Sequence, residues 1–154
     1  MEKQKLLNTY VNNVNMEETL SAIENMVESR EKKYVVAINV DVVMKIEDDP
    51  YLKKITDDAD MVLVDGKPLV WISKMHKKPV KAKISGSDLV PLLCADASRK
   101  GYSLFIIGGK EGIAEKAKDT GYHSTEFHCT AQCSADIRTL PPLTPTRYMK
   151  KKSF

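Results

Sequence analysis

The sequence predicts an α/β fold built on a doubly wound parallel sheet with helices on both faces. Three short apolar runs carry that prediction: Tyr34-Val-Val-Ala-Ile38, Met61-Val-Leu-Val64 and Leu104-Phe-Ile-Ile107. Each is bounded by a turn residue and has the length and makeup of a strand buried in a parallel sheet. Between them apolar residues recur at helical spacing, and strands alternating with helices imply parallel crossovers. The middle run leads straight into Asp65-Gly66, which places Asp65 at the carboxyl end of a strand, facing the crevice where open α/β sheets bind ligands. An aspartate there also suits the cap of the helix expected over 67–76, so capping and chemistry are both open to it.

Taken in order, the chain begins with a short strand or hairpin across 5–14. Asn15-Met-Glu-Glu18 has the form of a capping box, and Met16, Leu20, Ile23 and Val27 follow on one face of a helix over 16–30. Asn39 ends the first inner strand. Val42, Val43 and Ile46 suit a short helix that stops at Asp48-Asp49-Pro50, and a second helix runs from Pro50 to about Ala59. Beyond Asp65, Gly66 permits a sharp turn, and Pro68 fits a first helical turn, where a missing N–H costs nothing. Lys77-Lys-Pro-Val-Lys-Ala-Lys83 reads as basic loop or edge. Ser85-Gly-Ser-Asp88 opens the next helix, with Ser85 or Ser87 as its cap and Asp88 at the positive end of the dipole. Gly101 stands where that helix should stop. Leu104–Ile107 then leads through Gly108-Gly109-Lys110 into a helix over about 111–119, which completes a Rossmann-like arrangement.

Composition bounds the function. A chain of 154 residues with 42% apolar residues is about one globular domain. Its polar start predicts no secretory leader, and no apolar run is long enough to cross a bilayer. The net charge of +3 falls entirely within residues 121–154, so nothing in the first 120 suggests a nucleic-acid surface. Cys94 lies in a helical pattern and reads as a small core residue. His123, His128, Cys129 and Cys133 match zinc-ligand spacing poorly, and no metal is expected. The cysteine usage fits a reducing, cytoplasmic compartment.

The candidates for chemistry all stand at strand ends: Asn39, Asp65, the Ser85–Asp88 turn and Gly108–Lys110. Gly108, Gly109 and Lys110 set free backbone N–H groups and an ammonium before a helix, a combination suited to phosphate. The spacing of a Walker A loop is absent. A carboxylate base beside a diphosphate site suggests group transfer from a nucleotide-linked donor.

Four blocks in order make the reading specific. Ala-Ile-Asn-Val-Asp-Val-Val at 37–43, Ala-Asp-Met-Val-Leu-Val-Asp-Gly at 59–66, Ser-Gly-Ser-Asp-Leu-Val-Pro at 85–91 and Phe-Ile-Ile-Gly-Gly-Lys-Glu-Gly-Ile-Ala-Glu-Lys-Ala at 105–117 resemble the WecG/TagA/CpsF glycosyltransferases, glycosyltransferase family 26. The resemblance covers residues 5–120. It implies inverting, metal-free transfer of N-acetylmannosamine or a related sugar from a UDP-sugar to a polyprenyl-diphosphate-linked acceptor, as in teichoic acid or surface polysaccharide synthesis. It further implies Asp65 as general base, with Asn39, Lys83, Gly86, Ser87, Gly108, Gly109 and Lys110 binding substrate. No cofactor is expected. Ala37 stands where family members often have Thr, and Lys83 where they commonly have Arg, whose bidentate fork a lysine does not reproduce.

The family pattern stops near Thr120, and a later Gly-Leu-Gly-x-Pro-Lys-Gln-Glu block is missing. Two of three cysteines, two of three histidines and three of seven prolines fall in residues 121–154, which show no period. These observations lead to the expectation of a 1–120 glycosyltransferase domain, incomplete at the C-terminus, and an atypical, disordered 121–154 tail of frameshifted or truncated origin. The coding DNA checks this: no one-base shift that restores the missing blocks would end the frameshift idea. Expected partners are the UDP-sugar, the lipid-linked acceptor at the inner face of the plasma membrane, and a second copy of the chain, without nucleic acid. A non-catalytic nucleotide-sugar-binding fragment is the alternative, and a nucleotide-binding domain of unrelated chemistry is the third reading.

Overall fold

A computed structural model of the chain describes residues 3–102, 104–107 and 129–132. It is a mixed α/β protein whose described residues fall into two compact units, the first ending at Leu89 and the second starting at Val90.

The first unit opens with a hairpin of β1 (Lys3–Leu6) and β2 (Thr9–Asn12), paired from Lys3↔Asn12 to Leu6↔Thr9. Helix α1 (Met16–Ser29) starts on the complete capping box expected. The Glu18 N–H donates to Asn15 Oδ1 at 2.9 Å, and the Asn15 N–H donates to Glu18 Oε2 at 2.8 Å. Strand β3 (Val35–Ile38) then leads through α2 (Val40–Asp48) and α3 (Pro50–Asp58) to β4 (Met61–Val64). One aspartate divides the two helices: Asp49 Oδ1 accepts from the Tyr51 and Leu52 N–H groups, both at 2.9 Å, while Pro50 occupies the first turn.

Strands β3 and β4 pair in parallel, Val35↔Met61 through Ile38↔Val64, and the α2–α3 connection supplies the crossover that parallel neighbours need. All four residues of β4 are buried, so the continuous apolar run was a sound strand signal. The core gathers Leu6, Val11, Ile38, Val43, Val62, Val64, Leu69 and Val80, so hairpin, crossover and α4 (Lys67–Met75) share one apolar interior.

The ladders among the described residues are three separate pairs, where one continuous sheet was expected. At β4 the reason is visible. Strand β2 packs along β4, yet a side chain makes the link: Asn12, only 3% exposed, accepts the Val62 N–H on Oδ1 at 2.8 Å. Farther along the same edge the Val64 carbonyl accepts the Ile84 N–H at 2.8 Å. An amide side chain and a loop N–H therefore complete the buried strand where a full ladder is lacking.

Helix α5 (Gly86–Lys100) spans the division between the units and ends on a Schellman turn. Gly101 takes φ +68°, and the Tyr102 N–H reaches the Ala97 carbonyl at 2.9 Å. In the second unit β5 (Leu104–Ile107) pairs in parallel with β6 (Cys129–Gln132), from Leu104↔Cys129 to Ile107↔Gln132. Strand β6 lies in a stretch whose sequence shows no period. The helix expected over 111–119 and the remainder of 121–154 lie outside the described residues.

Replacing Asn12 by alanine strands the buried Val62 N–H. Loss of about 1–3 kcal/mol is expected, read as a lower urea midpoint for the first unit. A midpoint unchanged from wild type would show that Asn12 is not the link between hairpin and β4.

Candidate active site

Backbone hydrogen bonds bring three segments together at the carboxyl end of the β3–β4 pair. The Asp65 N–H donates to the Ile38 carbonyl at 2.8 Å, which sets Asp65 beside Asn39. The Ile84 N–H bond to Val64 brings Lys83 and Ser85 to the opposite flank. The loop carrying Lys83 is pinned before it arrives. Val80 is buried with its N–H on Ser73 Oγ at 3.1 Å, and the Lys81 N–H donates to Asn13 Oδ1 at 2.7 Å.

Asp65 is half-buried and does not cap the following helix. Gly66 holds the N-cap position of α4, at φ +119° and without a side-chain cap bond. A Cβ at Gly66 would meet nothing closer than Pro68 Cδ at 3.6 Å, so backbone conformation and not space demands glycine here. The capping role open to Asp65 in the sequence therefore falls away, and its carboxylate is left at the strand end.

Asn39 has a structural duty. Its Oδ1 accepts the Val42 N–H at 3.0 Å and caps α2, which leaves the Nδ2 amide as the group able to donate to a ligand. Gly86 is the first residue of α5, and a Cβ built on it meets nothing within 4 Å. The surface above Gly86 is thus open to close approach. Ser87 is exposed beside it. Gly108, Gly109 and Lys110 lie outside the described residues.

The electrostatic centre of this flank is a cluster that joins Lys83, expected at the substrate, to Ser85, Ser87 and Asp88, expected at the start of the helix. Lys83 Nζ lies 2.8 Å from Asp88 Oδ2 and donates to Ser85 Oγ at 3.3 Å. The buried Ser85 hydroxyl donates to Asp88 and lies 3.0 Å from Ser87 Oγ. Ser85 holds the N-cap position through its backbone: its carbonyl accepts the Asp88 and Leu89 N–H groups at 3.1 and 3.0 Å. Its side chain serves Asp88 and Lys83. The hydrogen bond from Lys83, and then that from Ser85, hold the Asp88 carboxyl below its usual range. Asp88 chiefly, and the field of Asp65 more weakly, hold the Lys83 ammonium above its own. Lys83 is therefore a fixed cation within electrostatic reach of Asp65. The signal in the sequence was Lys83 two residues before Ser85-Gly-Ser-Asp88, a spacing that folds a cation back on the first turn of the helix.

A groove of about 580 Å³ opens elsewhere, between the end of the hairpin and α1, lined by Asn13, Glu17, Glu18, Ser21, Asn25 and Lys81. Lys81 there is paired with Glu18 at 2.6 Å, as Lys83 is with Asp88 at the strand ends. Among the described residues no group of His, Cys, Asp and Glu side chains is arranged to hold a metal.

Because the folded Asp88 carboxyl lies below its ordinary value, the stability it lends is present above the unfolded pKa and is lost as pH falls through the folded one. The Asp88→Asn variant should lose that acid dependence and let the Lys83 pKa fall back toward the ordinary lysine range. Urea unfolding at a series of pH values reads the first, and carbon-13 NMR of the reductively methylated protein reads the second. A Lys83 pKa unmoved by Asp88→Asn would contradict the pairing.

Comparison with known proteins supplies the chemical context. A model of the "Glycosyl transferase WecG/TagA/CpsF family" matches residues 4–132, farther than the four sequence blocks reach. The chain is also similar to the N-acetylglucosaminyldiphosphoundecaprenol N-acetyl-beta-D-mannosaminyltransferase of Bacillus spizizenii (strain ATCC 23059 / NRRL B-14472 / W23), with 31% identity over 83 residues. That alignment takes in 53% of this chain and 32% of the relative, so the chain matches about a third of the relative's length. With the family match covering most of its residues, this chain belongs to the WecG/TagA/CpsF family of glycosyltransferases.

Proposed function

We propose that the chain carries the donor-side chemistry of a transferase that moves N-acetylmannosamine, or a related hexosamine or hexose, from a UDP-sugar to a polyprenyl-diphosphate-linked sugar. The observation that carries this reading is the convergence of Asp65, Asn39 and the Lys83–Ser85–Asp88 cluster at one sheet edge of a family glycosyltransferase. The parallel β3–β4 pair with its helical crossover supports a Rossmann-like frame, in which strand ends are where nucleotides bind. The name of the Bacillus relative supports the transferred sugar and the lipid-diphosphate acceptor. The product would serve teichoic acid or surface polysaccharide synthesis.

In the proposed step the acceptor hydroxyl oxygen attacks the anomeric carbon from the face opposite UDP, so the centre inverts. Asp65 takes the hydroxyl proton as the new C–O bond forms. The bond from the anomeric carbon to the diphosphate oxygen breaks, and UDP leaves with the electron pair. Asp65 acts by position, taking the proton while the oxygen gains bonding to carbon. Lys83 supplies a point charge toward the departing diphosphate, without the two-pronged geometry of an arginine. Asn39 Nδ2 and the open backbone at Gly86 and Ser87 would orient the donor. Gly108, Gly109 and Lys110 would add phosphate contacts. The reaction as proposed uses no metal or cofactor, and takes place at the cytoplasmic face of the membrane. No helix among the described residues is long and apolar enough to cross a bilayer.

The match to only 32% of the relative's length favours a second reading, a fragment that binds the nucleotide-sugar without turnover. One assay separates the two. UDP release from UDP-N-acetylmannosamine should depend on a lipid-linked N-acetylglucosamine acceptor and fall at least 100-fold in Asp65→Asn, within the range for loss of a general base. No release above background from folded protein would leave only the binding role. Release undiminished in Asp65→Asn would remove Asp65 as the base.

A further inference from the structure

Helix α4 turns an unusual face to solvent. Lys67, Trp71, Lys74 and Met75 follow the i, i+4, i+7, i+8 spacing of one helical stripe, and all four are exposed. Trp71 is 60% exposed and Met75 81%, while the opposite side of the helix buries Leu69 and Ser73. The stripe runs into His76, Lys77 and Lys78, also exposed. From Gly66 to Ser87 there are six lysines and no carboxylate. Two of the six are engaged, Lys81 with Glu18 and Lys83 with Asp88.

The backbone beneath these cations is held. The His76 N–H bonds to Ile72 O, the Lys77 N–H to Lys74 O and the Lys78 N–H to Ser73 O, each at 3.0 Å, and Gln4 Nε2 donates to Lys78 O at 2.6 Å. The basic stretch is therefore a fixed platform.

Cations near a helix C-terminus complement its dipole, which accounts for Lys74 through Lys78 but not for an exposed Trp and Met among them. A protein partner is disfavoured too, because interface cores exclude lysine, and here lysines alternate with the apolar side chains. An anionic bilayer accepts both. Trp sits well at the headgroup level, Met enters the acyl boundary, and lysines meet anionic headgroups while their stems lie along the apolar surface.

We propose that the exposed stripe of α4, centred on Trp71 and Met75 and flanked by Lys67, Lys74, Lys77 and Lys78, docks this chain onto an anionic lipid bilayer. The proposal deepens the transferase reading and rests on it for its purpose, which is to bring the strand-end site to an acceptor held by a lipid. Its geometry stands without that reading.

Trp71 is the only tryptophan of the chain and so reports on its own burial. The full chain is mixed with vesicles of phosphatidylcholine and phosphatidylglycerol that contain no donor or acceptor, so the outcome does not depend on turnover. The Trp71 emission should shift to the blue, be quenched by brominated lipid, and revert in high salt. Cosedimentation of the Lys74→Ala/Lys78→Ala variant should weaken by about 25-fold, at about fivefold per lysine. Lys45→Ala/Lys54→Ala, which removes two exposed lysines outside the stripe, should bind as wild type. The proposal is overturned by no shift on anionic vesicles, by an equal shift on pure phosphatidylcholine, or by equal weakening in both double variants. A shift produced by soluble glycerol phosphate would mean a small-anion site. A blue shift that grows with protein concentration without lipid would mean that a second copy covers the stripe.

Discussion

Everything in the first unit depends on satisfying the backbone of β4, a strand with all four residues buried. A buried strand has two edges of polar groups that must find partners away from water. Strand β3 supplies one edge by parallel pairing. The other edge is met by the amide of Asn12 and by the N–H of Ile84. Those two contacts fix the hairpin and the 77–85 loop against the same strand, and both come from residues far from β4 in sequence. What emerges at the carboxyl end is a half-buried aspartate held between two independently anchored segments.

That arrangement explains why a loop lysine can belong to the site. Lys83 reaches the strand end because Val80, Lys81 and Ile84 each commit a backbone N–H to a fixed acceptor. Asp88 then holds the ammonium from the first turn of α5, and the buried Ser85 hydroxyl holds Asp88. A cation fixed in this way costs little further ordering when an anion arrives, but Asp88 competes for it. The cluster therefore balances placement against availability, a balance an arginine with its extra donors would strike differently.

Local chemistry was legible in the sequence and long-range chemistry was not. The Asn15–Glu18 capping box, the Asp49-Pro50 junction and the Gly101 stop each depend on residues within one turn of each other, and each stands where the sequence put it. The two parallel strands were legible from their apolar runs. Asn12 was invisible as a strand partner because its acceptor bonds an N–H fifty residues away. Asp88 suits the helix dipole by sequence alone, and its pairing with Lys83 depends on a loop that the hairpin and α4 hold in place. The exposed stripe of α4 was hidden for another reason: apolar residues stand on both sides of that helix, so periodicity does not reveal which side faces solvent.

The central claim is that the donor diphosphate binds at these strand ends. Amide chemical-shift mapping of the isotope-labelled chain titrated with UDP tests it most directly. The largest changes are expected at Asn39, Asp65 and residues 83–88, with the α1 groove at Ser21 and Asn25 unmoved. Changes concentrated in that groove, or none at saturating UDP, would contradict it.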